Sequence, residues 1–295
     1  MNTGKKARLQ LVLSMTVFGT LAIFVRNIPL SSGELALYRA VFAALLIGVY
    51  LLISPDKLKL SAIKKELPLL LLSGAAMGIN WILLFQAYQY TTVSVATLSY
   101  YFAPIIVTIV CPFLFHEKLT KKQIFCFVMS TVGVFLIIGI PDSGSVTGPA
   151  GKGTLGIFFG LGAACFYATV ILLNKFIKTV AGIHRTFLQF LAAIAVLIPY
   201  VLFTGGFRFM TLEASGWINL LIVGLFHTGI TYCLYFSSLK ELPGQEAAIL
   251  SYVDPLVAVI VSVTVLGENI SILQILGGLL ILGFALWNEK EGAAA

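Results

Sequence analysis

The sequence predicts an all-α integral membrane protein of ten transmembrane helices, arranged as two inverted-topology five-helix repeats. Three observations carry that prediction: 59% of residues are hydrophobic and only 11% charged, the apolar residues come in blocks, and the second half of the chain repeats features of the first. An ordinary soluble domain carries roughly 25% charged residues. The blocks are about twenty residues long, and a helix of that length rises about 30 Å, the thickness of a bilayer hydrocarbon core.

Splitting the chain at charges, prolines and glycine-rich turns gives spans at 9–26, 34–53, 67–88, 93–115, 122–140, 154–173, 186–203, 215–238, 245–267 and 272–288. Each is long enough to cross. Most connections are short, so successive spans run antiparallel. The one linker-like stretch, Pro141 to Gly153, is rich in Gly, Ser and Pro and falls near the midpoint. It separates a first repeat at 1–140 from a second at 154–295, with 141–153 between them. The basic segment Met1 to Arg8 runs straight into the first block with no small-residue cleavage site behind it. That block therefore reads as a retained helix rather than a signal peptide.

Lys and Arg near span ends stay on the cytoplasmic side. With the N-terminus inside, fifteen basic residues fall in inside segments (Lys5, Lys6, Arg8, Lys57, Lys59, Lys64, Lys65, Lys118, Lys121, Lys122, Lys175, Lys178, Arg185, Lys240 and Lys290). Only Arg26, Lys152 and Arg208 fall outside, and Arg39 lies within a span. Both termini are thus expected in the cytoplasm, in a multi-pass protein of the cytoplasmic membrane.

The repeat is the most informative pattern. Tyr101, Pro104, Glu117 and Gln123 recur as Tyr252, Pro255, Glu268 and Gln274, each pair 151 positions apart, and Gly78, Trp81 and Phe85 fall on Gly229, Tyr232 and Phe236 at the same offset. At a slightly shorter one, Phe18-Gly19-Thr20 falls on Tyr167-Ala168-Thr169. Five spans per half is an odd number, so the second half enters the membrane from the opposite side. Such pairs underlie alternating access in many carriers.

Several function classes are disfavoured. The net charge of +7 is dispersed over short connections instead of lining one water-facing surface, so a nucleic-acid partner is not expected. Cys111, Cys126, Cys165 and Cys233 lie in apolar blocks without metal-ligand spacing, which points to packing residues and to no metal or other cofactor. No catalytic motif argues for a membrane enzyme, and no filter or charged ring argues for a channel. A membrane receptor or regulatory protein would account for the helices and leave the inverted halves unexplained.

With these residues in view, the chain resembles the drug/metabolite transporters of the EamA type over nearly its whole length. The resemblance rests on Val17-Phe18-Gly19, on Ala36-Leu37-Tyr38-Arg39-Ala40, and on Pro104 with Phe115-His116-Glu117 matched by Pro255 with Leu266-Gly267-Glu268. Phe18 stands where that family usually has tryptophan. The resemblance implies carriage of a small metabolite such as an amino acid, nucleobase, vitamin or sugar, commonly driven by a proton or solute gradient. It further implies a cavity lined by spans 1 to 4 and 6 to 9, with spans 5 and 10 peripheral.

An ionisable side chain at membrane depth is a functional candidate by default. Asp254 lies about eight residues into span 9, roughly 12 Å from its start. It precedes Pro255, whose ring removes a backbone donor and opens a polar spot. It is the candidate proton-coupling group, its competing role being to pin span 9 to a neighbour. Arg39, about 8 Å below the outer surface, is suited to hold a substrate carboxylate through its fork of N–H groups. Snorkelling, a pair with Glu34 or a role in the fold are its alternatives. His227 is suited to proton traffic. Asn80, Trp81, Gln86, Tyr88 and Tyr232 add polar and aromatic groups, and Trp81 with Tyr232 is expected to flank a planar substrate from two sides. Tyr100, Tyr101, Ser251 and Tyr252 precede the two prolines and are expected as pocket walls. Glu117 and Glu268 are expected as helix caps, and Gly156, Gly160, Ala164 and Ala168 as a stripe for close packing.

The expected function is secondary transport of a small organic metabolite such as an amino acid, by a monomer or homodimer in a lipid bilayer, with proton coupling through Asp254. Export of cationic or lipophilic drugs is the alternative.

Overall fold

The computed structural model describes residues 3–25, 27–54, 60–90, 99–116, 120–138, 153–180, 182–207, 212–265 and 272–292. Among the described residues the chain is helical throughout and folds into ten membrane helices. Helix α1 is Thr3–Gly19, continued after Thr20 as Leu21–Val25. Then follow α2 (Ser32–Ile53), α3 (Leu60–Tyr90), α4 (Phe102–Phe115) and α5 (Lys121–Ile138). The second repeat holds α6 (Gly153–Phe176), α7 (Gly182–Thr204), α8 (Ala214–Glu241), α9 (Gly244–Leu250 and Val253–Thr264) and α10 (Ile272–Gly292). Six of them are long and apolar enough to cross a membrane by their described residues alone.

The sequence places α1 and α3 too short at their starts. α1 begins at Thr3 because Lys5, Lys6 and Arg8 are good helix formers, and Arg8 is anchored by an ion pair between its Nε and Glu246 on α9. α3 begins at Leu60, and its Glu66 carboxylate accepts the backbone N–H groups of Lys178, Thr179 and Val180 at 2.8–3.2 Å. Thr120 and Gln123 cap the start of α5 reciprocally, Gln123 N–H to Thr120 Oγ1 at 3.1 Å and Thr120 N–H to Gln123 Oε1 at 3.0 Å. Glu117, Glu268 and all of the expected linker at 141–153 except Gly153, which begins α6, lie outside the described residues.

The halves interdigitate as a pseudo-twofold requires. α3 packs on α6 as α8 packs on α1, α7 crosses α3 as α2 crosses α8, and α4 meets α6 as α9 meets α1. α5 and α10 pack mainly on each other. The repeated glycines do the same work in each half: a Cβ on Gly78 would lie 3.2 Å from Ala193 O on α7, and one on Gly229 would lie 3.5 Å from Ala43 Cα on α2. Gly156, Gly160, Ala164 and Ala168 are all buried on α6, where small side chains admit α3 closely.

Gly19 sets the tightest of the approaches that matter for the site. A Cβ there would lie 2.7 Å from Asp254 O and 2.7 Å from Val257 Cβ. Gly19→Ala is therefore expected to push α1 from α9 and to destabilise the protein by about 1–3 kcal/mol, as overpacking of a filled core does. Thermal unfolding of the purified protein in detergent measures it.

Besides α1, which breaks at Thr20, three helices are irregular, and two of these irregularities are repeat mates. α4 breaks at Tyr101 (φ −71°, ψ 4°) and α9 at Tyr252 (φ −70°, ψ −5°), each three residues before a proline. Pro255 has no N–H to give the Ser251 carbonyl, which instead takes the Asp254 N–H at 3.2 Å. α8 widens at Ile222–Ile230 to π-helical bonding, and there the Thr228 and Thr231 hydroxyls donate to carbonyls five residues back, Val223 O at 2.7 Å and Phe226 O at 2.9 Å.

Candidate functional site

The interruptions converge on one polar and aromatic cluster between the repeats. Arg39 on α2 is 3% exposed and turns inward. Its Nε donates to Thr228 Oγ1 at 3.0 Å, its guanidinium carbon lies 4.6 Å from the centroid of Trp81, and it also donates to the Tyr232 hydroxyl. The widened turn of α8 presents the Thr228 hydroxyl to this arginine while that hydroxyl keeps its own bond to Val223 O. Neither snorkelling nor a pair with Glu34 holds: Glu34 accepts from the Ser31 hydroxyl at 2.9 Å in a capping box at the start of α2.

Trp81 and Tyr232 do meet across the repeat interface, as the offset implies. They do not sandwich a ring. Trp81 Nε1 donates to the Tyr232 hydroxyl at 3.3 Å, and the rings stand edge to face with centroids 5.9 Å apart and planes at 83°. That contact leaves no slot between them, so they form one continuous wall.

Around this wall stand Phe18, 5.0 Å from Tyr232 between centroids, and Tyr235, 6.0 Å from Phe18. The Tyr235 and Tyr167 hydroxyls share a hydrogen bond of 2.8 Å, and Tyr167 stacks on Tyr100 at 5.3 Å. Asp254 belongs to the same cluster: the Tyr101 hydroxyl donates to its carboxylate, and Tyr167, Tyr232 and Tyr235 all lie within its electrostatic reach. Phe18, Tyr100, Tyr101, Tyr167, Tyr232 and Asp254 each keep partial exposure. A buried cation and a carboxylate thus both lie within reach of Tyr232, in one aromatic cluster contributed by both repeats.

His227 sits one turn from this cluster, 2% exposed, with its ring 4.9 Å from Phe24. The Thr20 hydroxyl spends its proton on Val17 O at 2.7 Å, so it accepts from His227 Nε2 at 3.0 Å. The His227 ring is also held by the backbone of Ile222, within the widened turn of α8.

Other expected residues serve elsewhere. Asn80 donates to Ala163 O at 2.7 Å and fastens α3 to α6. Gln86 donates to the Tyr200 hydroxyl at 2.5 Å, tying α3 to α7. Ser251 donates back to Ala247 O at 2.7 Å within α9. Tyr252 turns away from the cluster, with its hydroxyl 2.9 Å from Thr131 Oγ1 and its ring stacked on Phe127 of α5. The side chain of Tyr88 lies outside the described residues.

Sequence reading missed Phe18, Tyr167, Tyr235 and Thr228 as parts of the cluster, Thr20 beside His227, and Arg185 altogether. Arg185 counted as a loop cation, yet it is fully buried, donating to Ile177 O at 2.5 Å and Asn174 O at 3.3 Å. Beside it Gln189 donates to Ser73 Oγ at 2.8 Å. Tyr235 was findable, since it lies three residues after Tyr232 and so shares its helical face.

Tyr232→Phe removes the acceptor shared by Trp81 and Arg39. Leaving buried donors unpaired costs about 1–3 kcal/mol, and the half-saturation concentration for uptake is expected to rise about tenfold, read from initial rates in vesicles.

Comparison with known proteins agrees with this architecture. The profile of the EamA-like transporter family matches residues 5–139 and again 154–288. The uncharacterized transporter YxxF of Bacillus subtilis is 32% identical over 281 residues, covering 95% of this chain and 88% of the relative. An uncharacterized transporter of Archaeoglobus fulgidus is 27% identical over 285 residues, 95% of each chain. A solved crystal structure superposes with a TM-score of 0.81 at 16% identity, covering 95% of both chains, which speaks to the fold. With both repeats matched along almost their whole length, the chain belongs to the EamA-like transporter family, multi-pass membrane transporters built from two such domains.

Proposed function

We propose that this transporter carries a small zwitterionic metabolite, an amino acid or a solute of like charge, across the cytoplasmic membrane by alternating access between its repeats. The observation that carries the reading is that Arg39 and Asp254 both lie within reach of Tyr232 in one partly exposed aromatic cluster. A guanidinium binds carboxylate in a two-pronged contact, and the faces of tyrosine rings suit an ammonium group, which leaves Asp254 free to carry a proton. The stacked Tyr100 and Tyr167 supply an apolar face for a side chain.

Asp254 also supplies proton coupling in this reading, releasing its proton to one side of the membrane and regaining it on the other as access alternates. The asymmetry of basic residues along the chain supports cytoplasmic termini, and the units of exchange are 1–140 and 154–295. A second reading, export of organic cations, draws on the tyrosines grouped about Asp254; the buried Arg39 charge weighs against it.

The test is uptake by proteoliposomes of radiolabelled amino acids, nucleobases and cationic dyes, with and without an imposed pH gradient. Saturable uptake of a zwitterion, increased by the gradient, is expected. Uptake confined to dyes would replace this reading by the second.

A further inference from the structure

Away from the central cluster, a cavity of about 410 Å³ opens where α4, α6 and α8 end together. Among the described residues it is lined by Phe115, Lys175, Lys178, Lys240, Ile177 and Glu241, three cations to one acid. Lysines at helix ends ordinarily neutralise the unpaired carbonyls there. Here Arg185 already serves the Ile177, Asn174 and Val180 carbonyls of the α6 end, and Lys175 is held by Leu242 O at 2.7 Å and by the Phe115 ring. Lys178 and Lys240 are exposed, and neither ammonium has an ion-pair partner among the described residues.

The cavity has two kinds of rim. On one side stand the lysines. On the other, Phe176 packs on Phe115 with ring centroids 4.8 Å apart and is itself exposed, as are Phe113 and Leu114 on the same end of α4. Exposed aromatic and aliphatic side chains on a membrane helix face hydrocarbon, so charge and lipid-facing surface meet at one mouth. A soluble anion would use only the lysines, whereas a phospholipid would use both.

We propose that this cavity binds the phosphate headgroup of an anionic phospholipid, with Lys178 and Lys240 on the phosphate and the upper acyl chain laid over Phe113 and Phe176. The site lies apart from Arg39 and Asp254 and would tie helix ends from both repeats, α4 from the first with α6 and α8 from the second, in one access state. An anionic headgroup near a membrane surface gains on the order of fivefold in binding from each lysine.

The test is native mass spectrometry of the full-length protein in detergent, titrated with phosphatidylglycerol, phosphatidylcholine or glycerol 3-phosphate. Phosphatidylglycerol is expected to bind in preference to phosphatidylcholine. The pair K178Q/K240Q should weaken it about 30-fold, K178R/K240R should restore it, and K64Q/K65Q, on the start of α3, should leave it unchanged. Equal binding of both lipids, or undiminished binding in K178Q/K240Q, would overturn the proposal. Glycerol 3-phosphate binding as tightly as the lipid would overturn it too, assigning the cavity to a soluble anion.

Discussion

Arg39→Ala is expected to lower substrate uptake by about 100-fold or more, because truncating one partner of a desolvated charge contact costs about 2–5 kcal/mol. Two effects add. The substrate carboxylate loses its cation, and Tyr232 loses a donor that fixes its hydroxyl beside Trp81. Arg39→Lys separates charge from shape: an ammonium keeps the charge, but it lacks the flat fork that spans Thr228, Tyr232 and the Trp81 face. It should recover no more than about a tenth of wild-type uptake. Initial uptake rates check both variants, with thermal unfolding alongside. If the loss of transport merely tracks loss of thermal stability, Arg39 serves the fold alone.

Asp254→Asn is expected to abolish accumulation driven by a pH gradient while preserving exchange of substrate between the two sides. The amide cannot carry a proton in one state and a charge in the other, yet it still accepts from the Tyr101 hydroxyl, so the cluster keeps its shape. With one proton carried per solute, the wild type should concentrate substrate about tenfold for each pH unit imposed, since one pH unit is worth about 1.36 kcal/mol. The variant should stop near equal concentrations. Gradient-driven accumulation that survives the substitution would leave Asp254 as a structural acid and move coupling elsewhere, with His227, held between Thr20 and the Ile222 backbone, the next group to examine.

Much of the fold is legible in the sequence, because in lipid every backbone group must be satisfied within its own helix and apolar length alone marks the crossings. The pairing of the halves is legible too: a constant offset links Gly78 to Gly229 and Trp81 to Tyr232, and in the structure the glycines make the same helix approach in each half. Where sequence reading fails, the reason is local. Distance from a membrane surface says how deep Arg39 lies but not which way it turns, and the direction depends on a widening of α8 that puts Thr228 beneath it. The ring positions of Trp81 and Tyr232 were legible, but not their hydrogen bond, which converts two expected jaws into one wall. Tyr101 and Tyr252 are repeat mates with matching backbone angles, yet Tyr101 serves Asp254 and Tyr252 serves Thr131. The difference follows from the acid itself, whose counterpart in the first half is Ala103. Arg185 was misassigned because a loop cation and a buried carbonyl cap look alike in sequence.

The central claim is that substrate binds against Arg39, Trp81 and Tyr232, and Trp81 reports on it directly. In a W217F/W287F background Trp81 is the remaining tryptophan, and its indole lies 4.6 Å from the arginine that would meet the substrate carboxylate. The fluorescence of that protein should be titrated with the transported solute, with and without Arg39→Ala. The account predicts a saturable change in Trp81 emission, with a midpoint matching that of uptake and lost in the arginine variant. Saturable binding by an independent measure with Trp81 emission unmoved would contradict it and place the substrate elsewhere in the bundle.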